Sequence, residues 1–274
     1  MSLLKWAGAK RWHVPQLKTL WHGERIVELF CGSAAVTLGL NPGQAVLNDA
    51  NPHLINFWRW VQQGLSLDDL ELTRSESLYY DYRTMFNSLI RQGKGDSLQA
   101  AQLFYYLNHQ GFNGLCRFNR SGEFNVPPRP SHRAGGGLRP GERQCDVFDA
   151  ALWSARLAPY TFSNEDFRDV MLEPDDFVYA DPPYDAVFTD YTGTEWTRED
   201  SAEVAVTLIG HPGRVVLMNS ATPWIMELYK ELGYHLTLLD SKQKMQRSQG
   251  RGDVIQEVMA TNFPLTTQGE LCDG

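Results

Sequence analysis

Short apolar runs alternate with amphipathic stretches in two parts of this chain, the pattern expected of strands that alternate with helices. The apolar runs predict seven strands: Arg25–Phe30, Gln44–Asp49, Tyr160–Ser163, Phe177–Ala180, Arg214–Asn219, His235–Leu239 and Val254–Asn262. Apolar spacing predicts helices over Arg198–Ile209 and Trp224–Leu232, and a turn at Gly32 that opens a helix through Leu38. Strands separated by helices favour an α/β fold with a largely parallel sheet.

The alternation stops between about Asn56 and Ala150. There the chain becomes helical and loop-rich, and Tyr, Asn and Arg crowd into Phe104–Val126. We therefore predict a second, helical domain over residues 57–150, inserted into a discontinuous sheet domain of residues 1–56 and 151–264. Residues 265–274 are interpreted as a C-terminal tail.

Composition narrows the class of protein. The chain has 274 residues, of which 42% are apolar, enough to bury a substantial core. No apolar run approaches the ~18 residues of a membrane span, and the N-terminus lacks the apolar region of a signal peptide. Its four cysteines are widely spaced, so we expect a reducing cytoplasm and neither a disulfide framework nor a zinc site. They are Cys31, Cys116, Cys145 and Cys272.

The net charge of −8 argues at first against a nucleic-acid partner, but the charges are unevenly placed. Two stretches are basic, and an acidic protein with one basic face can still bind phosphates locally. The first holds Arg117, Arg120, Arg129, Arg133, Arg139 and Arg143, and the second holds Lys242, Lys244, Arg247 and Arg251. The alternative is solvated loops whose charges serve solubility.

The most informative motif is Asp181-Pro182-Pro183-Tyr184, directly after the apolar run Phe177–Ala180. Asp181 can accept a hydrogen bond from an exocyclic amino group, and a carbonyl of the Pro-Pro segment can accept another. Two such bonds localise the nitrogen lone pair, which suits methyl transfer to that nitrogen. Tyr184 offers a flat face on which a flipped base can stack. The alternative is a turn that ends a buried strand, with Tyr184 in the core.

Two further turns predict a nucleoside site. Gly32 lies in the turn after the first strand, where a glycine lets the backbone approach a ligand, although one glycine is a weak signal. Asp49 ends the second strand, where a carboxylate can accept ribose hydroxyls. A helix N-cap is the alternative for this turn. Both turns and the Asp181 motif fall at the same edge of the predicted sheet.

In these motifs the chain resembles the DNA adenine-N6 methyltransferases of the Dam family, which belong to the D12 class. The resemblance runs in matching order from Leu4 to about Phe263. It is carried by Lys5–Lys10, similar to that family's KWAGGK, by Glu28–Ala34, similar to its FxGxG, by Asp181–Tyr184, and above all by Gly111–Asn119 with Gly122–Pro127. Ala9 and Ala34 stand where the family has glycine, which puts the shape of the cofactor site in question.

The resemblance implies a Rossmann-like S-adenosylmethionine-dependent methyltransferase sheet with an inserted target-recognition domain. Three groups of residues carry the implied roles. Asp181, Pro182 and Tyr184 would be catalytic; Trp6, Lys10, Phe30, Gly32, Asp49 and Asp181 would bind S-adenosyl-L-methionine; Lys5, Asn113, Leu115, Arg117 and Pro127 would contact double-stranded DNA. We expect base flipping, direct attack, a GATC target or close variant, no metal, no membrane partner and a monomer.

Other functions remain open at this point. A cytosine-N4 methyltransferase would use the same Asp181 motif, and a catalytically impaired DNA-binding relative would follow if Ala9 and Ala34 abolish cofactor binding. A nicotinamide-dependent oxidoreductase is disfavoured because no G-x-G-x-x-G follows the first strand.

Overall fold

The computed structural model describes residues 2–23, 25–130, 148–184, 196–239 and 256–265, and a seven-stranded sheet forms its centre. The strands are β1 Arg25–Glu28, β2 Gln44–Asn48, β3 Tyr160–Ser163, β4 Phe177–Ala180, β5 Val215–Ser220, β6 His235–Leu239 and β7 Glu257–Thr261. They lie in the order β3-β2-β1-β4-β5-β7-β6. β7 is antiparallel to both of its neighbours, and the other pairs are parallel.

Helices cover both faces of the sheet. They are α1 Val14–Leu20, α2 Ala35–Leu40, α3 Pro52–Gln62, α4 Glu76–Arg91, α5 Leu98–Gln110, α6 Ala150–Leu157, α7 Arg198–Ile209 and α8 Pro223–Glu231. Successive strand residues point to opposite faces, so Tyr179 joins the core under α2 and α3 while Val178 joins the core under α7 and α8. Burial on both faces explains why β4 and β5 are apolar throughout.

The α/β class predicted from the sequence is confirmed. β3, β4, β6 and α7 have the predicted bounds, and the other predicted elements differ by one or two residues where they are described. β1 ends at Glu28, short of the predicted Phe30, because Cys31 already donates its N–H to Asn48 and the chain turns at Gly32. Val254 and Ile255 of the predicted last strand lie outside the described residues.

The segment between β2 and β3 holds α3, α4 and α5, which share a core with one sheet face. α3 runs without interruption through position 57, where the predicted domain boundary lies, and α6 begins at Ala150. Two-domain organisation therefore stays a prediction. Parts of the two basic stretches and of the C-terminal tail lie outside the described residues. They are Arg133, Arg139, Arg143, Lys242, Lys244, Arg247, Arg251 and residues 266–274. No described helix is long and apolar enough to cross a bilayer.

Candidate active site

Three loops converge where parallel strands end side by side. Glu28 of β1 pairs in register with Leu47 of β2 and Tyr179 of β4, so all three strands end at the same edge. The loops that follow are residues 29–34, 49–51 and 181–184. The carboxyl edge of a parallel sheet is where open α/β proteins bind ligands. The structure thus brings the three predicted motifs together.

The turn after β1 is packed against the N-terminal segment. Gly32 has φ +47°, and a Cβ built there would lie 2.5 Å from Trp6 Nε1. Trp58 Nε1 donates to the Gly32 carbonyl at 3.1 Å, which fixes the turn from the other side. Only glycine suits this position, and the turn brings a bare backbone next to the Trp6 indole.

Asp49 joins two of the loops through its carboxylate. Oδ2 accepts the Gly32 N–H at 3.0 Å, and Oδ1 accepts the Asn51 N–H at 3.0 Å. A carboxylate offers about four acceptor sites, so acceptor capacity is left for a ligand hydroxyl. The helix N-cap expected as the alternative for this turn is Asn51 instead, whose side chain accepts from His53 and Leu54.

Asp181 lies beside a buried lysine. Lys10 Nζ is 3.2 Å from Asp181 Oδ2, 3.3 Å from Glu257 Oε1 and 3.3 Å from the Gly8 carbonyl. The Tyr184 hydroxyl donates to Asp181 Oδ1 at 3.0 Å, and Lys10 Nζ lies 4.8 Å from the centre of the Tyr184 ring. Both oxygens of Asp181 are therefore held by neighbouring side chains. Pro182, the next residue, is buried.

Among the described residues at this edge, the carboxylates outnumber the cations beside them. Burial raises the pKa of Glu28 to about 7; hydrogen bonds from Thr37 oppose the shift, and the charges of Asp181 and Asp49 add to it. Burial also raises the pKa of Asp49, partly offset by its backbone hydrogen bonds. Such crowding creates a negative potential that a bound cation would relieve.

Aromatic side chains line the same edge. Phe30 is half-buried and stands edge-on to Trp196, with ring centres 5.4 Å apart, and tilted against Phe167 at 5.7 Å. Flat apolar faces of this kind suit a purine ring. Together, the geometry of the Gly32 turn, the free acceptor capacity of Asp49, the negative potential and these aromatic rings fit a cationic nucleoside such as S-adenosylmethionine.

The predicted DNA-contacting residues lie on the neighbouring loops. Lys5 exchanges two hydrogen bonds with the Asn108 side chain, at 2.9 and 2.8 Å, and its Nζ donates to the His109 carbonyl at 2.6 Å. Gly114 lies directly against Lys5, since a Cβ there would be 2.4 Å from Lys5 Cβ. Asn113 is exposed in the left-handed region at φ +54°. The N-terminal motif and the loop after α5 thus form one surface.

Arg117 lies on an irregular hairpin over residues 117–125. Its Nε donates to Asn125 Oδ1 at 2.7 Å, and the Asn125 N–H donates back to the Arg117 carbonyl at 3.1 Å. Glu123, the acidic residue of this hairpin, pairs with Arg91 of α4. The exposed guanidinium is therefore oriented within the hairpin. Leu115 is half-buried, and Pro127 is exposed nearby.

Sequence reasoning missed the residues that support this hairpin. Asn87 of α4 exchanges two hydrogen bonds with the Phe124 backbone, at 3.1 and 2.8 Å. Tyr79 and Arg83 both donate to the Val126 carbonyl, at 3.0 and 3.1 Å. Their regular four-residue spacing on one helix face was a signal, but it indicates only a shared face and not what that face contacts.

Sequence reasoning also assigned no role to Glu257, Glu28 or Asn51. Glu257 is 4% exposed at the start of β7, far along the chain from every motif. Asn51 connects the Asp49 turn to the residue directly before the hairpin, because its amide donates to Cys116 Sγ at 3.3 Å. Within the described ranges, no group of three or more His, Cys, Asp and Glu residues could hold a metal ion.

Comparison with known proteins gives a consistent picture. The family model for the D12 class N6 adenine-specific DNA methyltransferases matches residues 6–245. The retron Ec67 DNA adenine methylase of Escherichia coli is 31% identical over 275 aligned residues, covering 95% of this chain and 91% of the relative. The DNA adenine methylase of Escherichia coli K12 is 30% identical, covering 96% and 95%. The DNA N-6-adenine-methyltransferase of Escherichia phage P1 is 29% identical, covering 89% of this chain but 33% of that longer protein.

Proposed function

Because this chain belongs to the D12 class of N6 adenine-specific DNA methyltransferases, we propose that it methylates adenine N6 within GATC or a close variant. Adenine-specific DNA methylation as such follows from the family. The target sequence, the methyl donor S-adenosylmethionine, base flipping and the roles of single residues are the proposal. Duplex DNA is the proposed substrate, the bacterial cytoplasm the proposed compartment, and a monomer the proposed form.

The observation that carries the proposal is the carboxylate cluster beside a glycine turn. Burial raises the pKa of Glu28, and the charges of Asp181 and Asp49 raise it further, so a cationic ligand would be favoured among these three carboxylates. When bound, S-adenosylmethionine supplies the electrophilic methyl group on such a cation, a sulfonium. Trp6, Lys10, Asp49 and Asp181 would contact it, with Asp49 accepting its ribose hydroxyls. Phe30 and Gly32 would shape its pocket.

Asp181, Pro182 and Tyr184 would hold the flipped adenine. One face of the Tyr184 ring is turned to Lys10, and the base would stack on the opposite face. Asp181 would accept a hydrogen bond from the N6 amino group, and a carbonyl of the Pro182-Pro183 segment would accept the second. These bonds localise the lone pair on N6, and positioning then lowers the barrier to direct attack on the methyl group.

Residues 57–150 are proposed as the target-recognition domain. The exposed Arg117 guanidinium can present two donors to O6 and N7 of a guanine. Asn113, Leu115 and Pro127 lie on the same loops, and Lys5 is hydrogen-bonded to the end of α5 beside them. The reciprocal bonds between Arg117 and Asn125 would orient the guanidinium before DNA arrives, which reduces the entropy lost on binding.

The proposed chemistry is tested with purified protein, S-adenosylmethionine and a duplex containing one GATC site. We expect N6-methyladenine in the digested product by mass spectrometry, and a loss of at least a hundredfold in rate for Asp181→Ala. The variant also loses the Lys10 salt bridge, so its melting temperature and DNA affinity are measured in parallel.

Three outcomes would contradict the account. Cytosine-N4 methylation would overturn the adenine assignment within this proposal. Wild-type rates in Asp181→Ala would remove that carboxylate from the mechanism. Absence of S-adenosylmethionine binding in a calorimeter would favour a DNA-binding relative that has lost catalysis.

A further inference from the structure

Glu257 contacts the site from β7, outside every motif that carries the family resemblance. Its backbone position is set by two antiparallel ladders, because it pairs in register with Ser220 of β5 and Leu239 of β6. Its Oε1 lies 3.3 Å from Lys10 Nζ, which in turn lies 3.2 Å from Asp181 Oδ2. A single buried ammonium therefore stands between two carboxylates.

That ammonium lies among three oxygen atoms of the protein. Lys10 Nζ forms ion pairs with Asp181 and Glu257 and donates a hydrogen bond to the Gly8 carbonyl. Burial lowers the pKa of Lys10, but the Asp181 and Glu257 carboxylates outweigh it, so the pKa is raised above its usual value. Lys10 is thus a permanent cation whose position depends on both acids.

We propose that Glu257 is a positioning residue for methyl transfer, acting on Asp181 through the shared Lys10 ammonium. This inference rests on the proposed catalytic role of Asp181. By binding one N–H of Lys10, Glu257 prevents the ammonium from pairing with Asp181 alone. Asp181 then keeps enough negative charge and a free lone pair to accept the hydrogen bond from the target amino group.

The same arrangement fixes the direction of the Asp181 carboxylate. Oδ2 is held by Lys10, and Oδ1 accepts the Tyr184 hydroxyl at 3.0 Å, so rotation about the last side-chain bond is opposed at both oxygens. Removing the Glu257 charge would draw Lys10 toward Asp181 and move both Asp181 and the Tyr184 ring over which Lys10 lies. Hydrogen-bond geometry of this kind affects the chemical step more than ligand affinity.

Glu257→Gln tests the role, since it keeps the size and one acceptor oxygen of the side chain while removing its charge. In single-turnover assays with a saturating GATC duplex and S-adenosylmethionine, we expect the transfer rate to fall at least tenfold. Dissociation constants for S-adenosylmethionine and for the duplex should change less than threefold. Glu257→Asp keeps the charge on a shorter side chain and should recover at least part of the lost rate.

Thr261→Val is the matched control for damage to β7. Thr261 is buried on the same strand and donates to the Phe263 carbonyl at 2.7 Å, so its loss destabilises the strand away from Lys10. We expect a lower melting temperature with a transfer rate within twofold of wild type. A rate loss in Thr261→Val equal to that in Glu257→Gln would overturn the proposal.

Two further results for Glu257→Gln would also overturn the proposed role of Glu257. A wild-type rate in Glu257→Gln, or a loss explained wholly by weaker S-adenosylmethionine binding, would show that Glu257 does not act on Asp181. Asp181→Asn is run beside it. If that variant is active, the proposed catalytic carboxylate is wrong. If it is inactive while Glu257→Gln transfers normally, only the inference about Glu257 fails.

Discussion

Two residues in the turn after β1 have left-handed backbone conformations with different consequences. Gly32 has φ +47° and no room for a Cβ beside Trp6, whereas Ala34 has φ +50° and is fully buried. An alanine in this region costs roughly 1–2 kcal/mol, and burial of its methyl group returns about 0.8 kcal/mol. Ala34 is therefore tolerated. Ala9 is not among the described residues with positive φ, so this backbone strain does not arise there.

Gly32→Ala should be the more damaging change because it adds a clash to backbone strain. We expect it to lower the free energy of unfolding by more than 2 kcal/mol and to weaken S-adenosylmethionine binding at least tenfold, since Trp6 must move. Urea denaturation and calorimetry measure the two effects. Gly64→Ala is the control: φ is +90° there, yet no atom lies within 4 Å of the added Cβ. Equal cofactor affinity in both variants would exclude Gly32 from the site.

At the scale of single elements, the hairpin over residues 117–125 depends on polar side chains from α4. Asn87 binds the Phe124 backbone, and Arg83 and Tyr79 donate to the Val126 carbonyl directly after the hairpin. Phe118 stacks on His53 and meets Phe124 edge-on. The hairpin therefore keeps its shape without pairing into the sheet. A rigid hairpin suits an arginine that must meet one base edge.

Arg117→Ala should relax sequence preference at one guanine while weak general DNA binding persists. We expect discrimination at that position to fall by about 1–3 kcal/mol, measured as transfer rates on duplexes with single substitutions in GATC. Arg120, exposed in the same hairpin, is the matched control. Its replacement by Ala should weaken all sequences alike or leave them unchanged. If Arg117→Ala instead weakens every duplex equally, that side chain contacts a phosphate.

How far the sequence predicts this site depends on how local each interaction is. Strand and helix patterns predict that Asp49, Gly32 and Asp181 share one sheet edge, because that follows from parallel topology alone. Lys10 and Glu257 could not be joined in this way, since their contact depends on how β7 enters the sheet between β5 and β6. The Asn87 and Asn108 contacts are equally non-local, and asparagine carries no pattern that identifies its partner.

At the scale of the whole molecule, buried titratable groups link stability to pH. Burial lowers the pKa of His13 and His53 to about 4, while burial raises that of Glu28 to about 7. As the pH falls below 6.5 the unfolded chain protonates these histidines before the folded protein does, so stability is lost down to about pH 4. Glu28 acts oppositely: the folded protein takes up its proton first, which adds stability between about pH 7 and 4.5.

The variant His53→Phe isolates the contribution of one buried histidine to the pH dependence of stability. His53 stacks on Phe118 with ring centres 5.0 Å apart, so Phe preserves an aromatic contact and removes the titration. The stability of wild type relative to the variant should fall by roughly 1–3 kcal/mol between pH 6.5 and 4. Urea unfolding at several pH values measures the difference, from which the Glu28 contribution cancels. A difference independent of pH would show that His53 titrates alike in both states.

The function proposed for this protein specifies which base is methylated and in which sequence. Its most direct test is methylation-aware sequencing of DNA from a host that lacks adenine methylation and expresses this protein, with Asp181→Ala as the control. We predict N6-methyladenine at GATC sites and none in the control. Modified adenines mainly outside GATC would overturn the target sequence and leave the chemistry standing. Methylated cytosine, or no modification by a folded protein, would contradict the account itself.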